Sequence, residues 1–143
     1  MWYRLTNLFF SVKTYKALAP DPKIRQQVNR NLYRRPALDA QNWFKAFYEP
    51  QGIARPIATF AYTHLQKYSG LEFAKVLPTD RLYEDLHWIE VCGFDWELVL
   101  CEDFWQEFSI DISCCLHCYQ LSTIEELVKF LNQQVKIAPQ SSS

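Results

Sequence analysis

The chain has 143 residues, of which 49% are hydrophobic and 16% aromatic. This composition can fill the core of one domain and excludes a generally disordered chain. Three glycines are few for tight β turns or for a phosphate-binding loop, so they favour a helical protein. No apolar run reaches the roughly 20 residues of a membrane span, and the first residues do not resemble an export signal. We therefore expect a cytoplasmic protein with reduced cysteines.

The formal net charge of −1 hides a strong asymmetry along the chain. Residues 1–78 contain twelve Lys and Arg against four Asp and Glu, whereas residues 79–143 contain three against twelve. Such a pattern indicates either two partners of opposite charge or two halves that attract each other. The second interpretation needs no additional molecule, and we favour it.

Apolar residues at spacings of three and four predict helices over most of the chain. Proline and glycine mark several of their ends, and Asp39 is the expected N-cap of the third helix. Ser122 with Glu125, or Thr123 with Glu126, predicts a capping box for the last helix. We expect a loop at 71–80, a second loop at His87–Cys92 and a cysteine-rich loop between Ile112 and Ser122. Helices are expected at about 3–17, 23–33, 40–49, 54–68, 94–108 and 124–134.

The predicted helix at 94–108 is the most apolar and the most acidic of these segments. Phe94, Leu98, Cys101, Trp105 and Phe108 form one stripe, which we expect to face the core. Further apolar residues widen this stripe, which predicts a central helix contacted on more than one side. We expect the tryptophans to be core residues by default. The solvated edges of the helix are expected to be Asp95, Glu102, Asp103 and Glu107.

From about Ala58 to Gln133, several motifs follow one another in the order found in acyl carrier proteins. They are a helix that ends in Gly70, the stretch Leu82-Tyr83-Glu84-Asp85-Leu86, the helix end Trp105-Gln106-Glu107-Phe108-Ser109-Ile110-Asp111-Ile112, and the start Leu121-Ser122-Thr123-Ile124 of the last helix. This region resembles a divergent acyl carrier protein. The resemblance implies an all-α fold, an acyl-carrier-protein-like four-helix bundle with additional N-terminal helices. The expected organisation is an N-terminal helical extension packed on the core at 1–52, a carrier-like domain at 53–135 and a disordered tail at 136–143.

The chain departs from this family at the residue that carries its chemistry. Carrier proteins attach phosphopantetheine to a serine at the start of their second helix, and that position corresponds to Phe94 here. A phenyl ring has no hydroxyl group to modify, and neither Cys92 nor Asp95 is a serine. We therefore expect no prosthetic group and no other cofactor.

The five residues 114–118 contain four side chains that could bind zinc. A zinc site needs tetrahedral ligands, usually as two pairs, and the sequence offers no second pair. We expect small, partly buried thiols at these positions and no metal, although a metal- or thiol-dependent enzyme remains an alternative. Its weak candidate residues are Cys114, Cys115, His117 and Cys118.

The most basic segment of the chain lies at 23–35. A helix-turn-helix protein would need a polar recognition helix, but the helix predicted after Gly52 is apolar and aromatic. Nucleic-acid binding is therefore an alternative function and not the preferred one. The residues that would contact nucleic acid, an acidic partner or the chain's own acidic half are Lys23, Arg25, Arg30, Arg34 and Arg35.

The sequence thus predicts a non-catalytic carrier-like protein that acts through protein–protein interaction or regulation. No serine, histidine or carboxylate lies in a pattern that indicates a catalytic residue. The resemblance implies that a partner with a basic docking patch reads the acidic helix, and homo-oligomerisation stays open. The expected partner-binding residues are Asp95, Glu102, Asp103 and Glu107.

Overall fold

The structure is a computed structural model that describes residues 20–116 and 120–137. In this part of the chain the regular secondary structure is helical, apart from an isolated β-bridge between Arg81 and Thr123. The predicted all-α class is therefore confirmed for the described residues, while the predicted helix at 3–17 and the tail at 138–143 lie outside them. The α-helices are α1 (Pro22–Leu32), α2 (Ala40–Phe47), α3 (Arg55–Ser69), α4 (Trp88–Cys92), α5 (Trp96–Phe108), α6 (Ser113–Leu116) and α7 (Ile124–Ile137), with 3₁₀ turns at Glu49–Gln51 and Phe73–Lys75.

Local signals set most of the helix ends. The side chain of Asp39 accepts a hydrogen bond from the Asn42 N–H at 2.9 Å, which confirms it as the N-cap of α2. Gly70 ends α3 with φ of +68°, a backbone conformation that glycine adopts without steric cost. At α7 the capping box is Thr123 with Glu126, because the Thr123 hydroxyl accepts from the Glu126 N–H and the Glu126 carboxylate accepts from the Thr123 N–H.

Two segments expected to be loops contain short helices. One is α4, where Trp88, Val91 and Cys92 are buried within a single five-residue helix. The other is α6, whose first residue Ser113 donates hydrogen bonds from its N–H and its hydroxyl to the carboxylate of Asp111. Helices of one turn contain too few residues to produce a recognisable apolar period, so the pattern in the sequence could not reveal them.

The central helix of the described fold is α3 and not the acidic helix. Helix α3 packs against α2, α4, α5 and α7, whereas the main helix contacts of α5 are with α3 and α6. The expectation that the helix at 94–108 is central was therefore wrong. Six residues of α3 are buried, and they cover more than one side of it: Ile57, Ala58, Phe60, Ala61, Leu65 and Ser69.

Helices α1 and α2 share one hydrophobic core with the rest of the described chain. Val28 and Leu32 of α1 and Trp43 of α2 belong to the same cluster of buried residues as Leu131 of α7. Position 52 therefore does not separate two cores. None of the helices in the described residues combines the length and the apolar character that crossing a bilayer requires.

Candidate functional site

The buried side of helix α5 coincides only in part with the stripe that its sequence pattern suggested. Trp96, Leu100 and Phe104 are buried, with exposed fractions of 3%, 0% and 0%. In contrast, Phe94 and Trp105 are 45% and 48% exposed. The expectation that the stripe faces the core was therefore wrong for Phe94 and Trp105, whereas Cys101 is buried and Phe108 packs against the core. Both sets of residues have helical spacing, so periodicity alone could not decide which one is buried.

The exposed side of α5 combines apolar and acidic side chains. Because an α-helix turns by about 100° per residue, residues 98 and 105 lie close to one line along its axis, on the side away from Leu100, and Phe94 lies in the turn just before the helix. Two carboxylates lie along one flank of this line, and they are partly exposed. We call this surface the outward face of α5; it consists of Phe94, Asp95, Leu98, Glu102, Trp105 and Gln106.

The four acidic residues expected to bind a partner do not lie on one surface. Asp95 and Glu102 belong to the outward face. Asp103 and Glu107 lie on the side of α5 that faces α3, where Asp103 contacts Tyr68 and Glu107 lines a cleft. The structure therefore divides the predicted set into two pairs with different surroundings.

Asp103 is part of a polar cluster between α3 and α5. Its Oδ2 atom accepts a hydrogen bond of 2.6 Å from the Tyr68 hydroxyl and lies 3.2 Å from Nδ1 of His64. The His64 contact has the distance of an ion pair but not the geometry of a hydrogen bond. The Nδ1 atom of His64 is therefore buried without a hydrogen-bond partner. Burial, followed by the hydrogen bond to Asp103, raises the pKa of the Tyr68 hydroxyl far above its usual value, so Tyr68 stays protonated and donates.

Sequence reasoning missed this cluster because its members are distant along the chain. Tyr68 and Asp103 are 35 residues apart, and each belongs to a helix whose pattern gives no sign of the other. The cluster borders an open cleft of about 300 Å³ between α3 and α5, whose lining combines one basic and one acidic side chain with hydroxyl groups and an aromatic ring. The lining residues are Arg55, Pro56, Thr59, Phe60, Thr63, His64 and Glu107.

Phe94 lies in the turn that leads into α5. It follows Gly93, whose φ is +93°, and precedes Asp95, which caps the helix without a side-chain hydrogen bond. Phe94, which the resemblance aligns with the carrier serine, is thus an exposed phenyl ring just before the helix.

Two of the five basic residues singled out in the sequence bind within the chain. Arg25 donates a hydrogen bond of 2.7 Å from Nη2 to the carbonyl oxygen of Val91 at the end of α4. Arg35 forms a two-bond ion pair with Asp80. The other three, Lys23, Arg30 and Arg34, are exposed. The basic segment is therefore partly structural, and it presents fewer free cations than its sequence suggests.

The cysteine-rich segment lies only partly within the described residues. Cys114 and Cys115 belong to α6, while His117 and Cys118 lie outside the described residues. No group of three or more His, Cys, Asp or Glu in the described ranges is arranged to hold a metal ion. Elsewhere, burial raises the pKa of the Cys92 thiol well above its usual value, so this thiol stays protonated and is a poor nucleophile.

No family model, curated protein or solved structure matches the chain. The function proposed below therefore rests on the residues and contacts described above.

Proposed function

We propose that this protein is a non-catalytic docking protein that binds a partner protein through the outward face of α5. The observation that carries the proposal is the exposure of two aromatic rings, Trp105 in α5 at 48% and Phe94 in the turn that leads into α5 at 45%. Exposed aromatic side chains favour a binding surface, because burying them against a partner releases their hydration shell. Aromatic anchors of this kind contribute much of the energy of protein interfaces.

The charges beside these rings define the partner. Asp95 and Glu102 flank the apolar line, and both are partly exposed. A carboxylate at the rim of an interface favours a partner with Lys or Arg at the matching place, and it raises the association rate at low salt. The proposed partner therefore has an apolar groove with a basic edge, into which a single helix fits.

The resemblance to acyl carrier proteins supports this role without their chemistry. The region 53–135 contains the longer helices α3 and α5 and most of α7 in the order that the resemblance implies, with the one-turn helices α4 and α6 between them. Phe94 replaces the serine, so the proposed protein keeps a docking helix and carries no acyl group. Incubation with a phosphopantetheinyl transferase should add no mass to the protein, and a stoichiometric adduct would contradict this interpretation.

The docking proposal is tested by capture followed by reconstitution. We would use the full chain as bait in an extract of the native host, beside the variant Leu98→Ser/Trp105→Ser. Each protein lost from the variant would be purified and its Kd measured at two salt concentrations. We expect at least one such protein to bind about 100-fold more weakly to the variant, because two apolar anchors are removed.

The control variant changes a residue on the other side of the same helix. Glu107→Gln changes an exposed residue of α5 outside the outward face, and it should leave the Kd unchanged. Glu102→Lys should weaken binding most strongly at low salt. If no purified protein binds in a way that depends on both Trp105 and Glu102, the outward face is not a docking surface.

A further inference from the structure

The first 19 residues of the chain have the chemistry of the proposed partner. They contain three basic residues, Arg4, Lys13 and Lys16, and no acidic residue. Their apolar residues recur at spacings of three and four, and these are Leu5, Leu8, Phe9, Val12 and Tyr15. We propose that residues 1–19 bind the outward face of α5 in the same chain. This inference rests on the proposed function, because an external partner would then have to displace the segment.

The described chain begins beside α4, next to the outward face. The N–H of Asp21 donates a hydrogen bond of 2.8 Å to the carbonyl oxygen of Glu90 in α4. The carboxylate of Asp21 also caps α1, which fixes this point of the chain from two sides. Helix α4 is followed at once by Gly93 and Phe94. Residues 1–19 therefore join the fold close to the first residue of the outward face.

The segment is long enough to cover that face. Helix α5 has 13 residues, which corresponds to about 20 Å at 1.5 Å per residue. Nineteen residues span about 28 Å even when they are fully helical. No stretching of the chain is needed for residue 1 to pass the far end of α5.

The two surfaces are complementary in both apolar character and charge. Phe94, Leu98 and Trp105 offer an apolar line of the same kind as that predicted for residues 5–15. Glu90 at the point of attachment is exposed, and Asp95 and Glu102 are partly exposed. Opposite charges at contact distance attract each other by about 1 kcal/mol even in water. In the proposed complex the three basic residues of the segment therefore approach these carboxylates, which are the groups that the basic edge of an external partner would contact.

The same chain is favoured over a second copy by effective concentration. A segment joined to its site by a short linker experiences a local concentration in the millimolar range. The same segment from a second copy of the protein is present only at micromolar concentration in an ordinary solution experiment. Binding within one chain should therefore dominate in dilute protein.

A zero-length cross-linking experiment tests the inference. A carbodiimide joins a lysine amine to a carboxylate only when the two are in contact. The full chain would be mixed as equal parts of ¹⁴N and ¹⁵N protein and cross-linked at low salt, and the monomer would be analysed by mass spectrometry. We expect Lys13 or Lys16 linked to Asp95 or Glu102, with both peptides carrying the same isotope.

Variants in the segment separate a specific contact from a chance encounter. Leu8→Ser/Val12→Ser keeps every lysine and carboxylate and lies outside the described core, and it should reduce these cross-links about tenfold. The control Asn7→Ser/Thr14→Ser should not change them. Links of mixed isotope, or the absence of these links in the full chain, would overturn the inference.

The outcome of the cross-linking experiment does not depend on the outcome of the docking test. Cross-linking needs no external partner, so the segment can be found on the outward face even if no partner is captured. Conversely, a partner whose Kd depends on Trp105 in the absence of intramolecular links would support the docking function alone. When both hold, Leu8→Ser/Val12→Ser should strengthen the binding of the partner.

Discussion

Arg35 donates two hydrogen bonds to the carboxylate of Asp80, with nitrogen–oxygen distances of 2.6 Å and 3.0 Å. Asp80 is only 5% exposed, and it also accepts a hydrogen bond of 2.7 Å from the Leu77 N–H. Arg35 follows α1, in the basic part of the sequence, and Asp80 begins the acidic part. The pair is one place where the two oppositely charged parts of the chain are joined.

Replacing Asp80 with Asn should destabilise the protein. The change leaves the guanidinium group of Arg35 without its carboxylate in a partly buried place. Because a third of the Arg35 side chain is exposed, water screens part of this loss, and we expect the free energy of unfolding to fall by about 2–3 kcal/mol. Urea unfolding followed by circular dichroism measures it. Arg81→Ala, which removes an exposed ion pair with Asp85, is the control and should have little effect.

A second prediction concerns the docking of α1 against the end of α3. A Cβ atom on Gly70 would lie 2.5 Å from Cδ of Arg25, whereas nothing lies within 4 Å of such an atom on Gly52. Both glycines have positive φ, so Gly52→Ala should cost about 1 kcal/mol from backbone strain alone. Gly70→Ala should cost about 1–2 kcal/mol more, because it displaces Arg25 from its hydrogen bond to Val91. Equal losses in the two variants would show that Arg25 does not pack there.

The orientation of α5 gives a third prediction from two adjacent residues. Phe104→Ala should lower the free energy of unfolding by about 3–5 kcal/mol, because it leaves a cavity in the core. Trp105→Ala should lower it by much less, about 1 kcal/mol or less, because its side chain is half exposed. Thermal unfolding of both variants measures the difference. A reversed order would place the stripe of Phe94 and Trp105 in the core after all.

The end of α5 provides a fourth, stabilising change. Ser109 caps the helix with φ of +58°, in the left-handed region that residues with a Cβ rarely adopt. Ser109→Gly should therefore raise the free energy of unfolding by about 0.5–1 kcal/mol. Gln106→Gly, within the same helix and also exposed, should lower it by about 1 kcal/mol and serves as a control of opposite sign. A loss of stability in Ser109→Gly would contradict the observed cap.

The capping box of α7 gives a pH-dependent prediction. Hydrogen bonds from Ser122 and Thr123 hold the pKa of the Glu126 carboxyl below its usual value of 4.5. A lowered pKa in the folded state stabilises the protein above the usual pKa, and this stability is lost as the pH falls through the folded-state pKa. Glu126→Gln should therefore lower Tm at neutral pH and approach the wild type in acid. Glu49→Gln, at an exposed residue, should give the same small difference at both pH values.

Local sequence signals predicted the long helices well. Pro56 and Gly70 placed α3 at 54–68, and the structure has it at Arg55–Ser69. The last helix runs three residues past its expected end at 134, because no proline or glycine lies between residues 134 and 137 to stop it. Helix start and stop signals involve only a few neighbouring residues, so they can be recognised in the sequence without knowledge of the tertiary structure.

Tertiary relationships were not predictable in the same way. Helix α5 is apolar on two sides, and only its packing against α3 decides which side is buried. The cluster of Tyr68, His64 and Asp103 depends on the approach of two helices, which no single segment encodes. The four acidic residues expected to bind a partner therefore lie along α5 and at its N-cap, but Asp103 and Glu107 are on the side toward α3, where Asp103 binds Tyr68 and Glu107 is exposed at the cleft.

The irregular stretch between α3 and α4 is held along its length by backbone hydrogen bonds to distant segments. Leu82 N–H binds the carbonyl oxygen of Ser122, and Ile124 N–H binds that of Asp80. The Trp43 indole donates to the carbonyl oxygen of Val76 at 2.9 Å. The amide protons of Leu82 and Ile124 should exchange with deuterium as slowly as those of the buried helices, because the stretch opens only when the core opens. In exchange experiments it should belong to the same cooperative unit as α3 and α7, despite its lack of regular secondary structure.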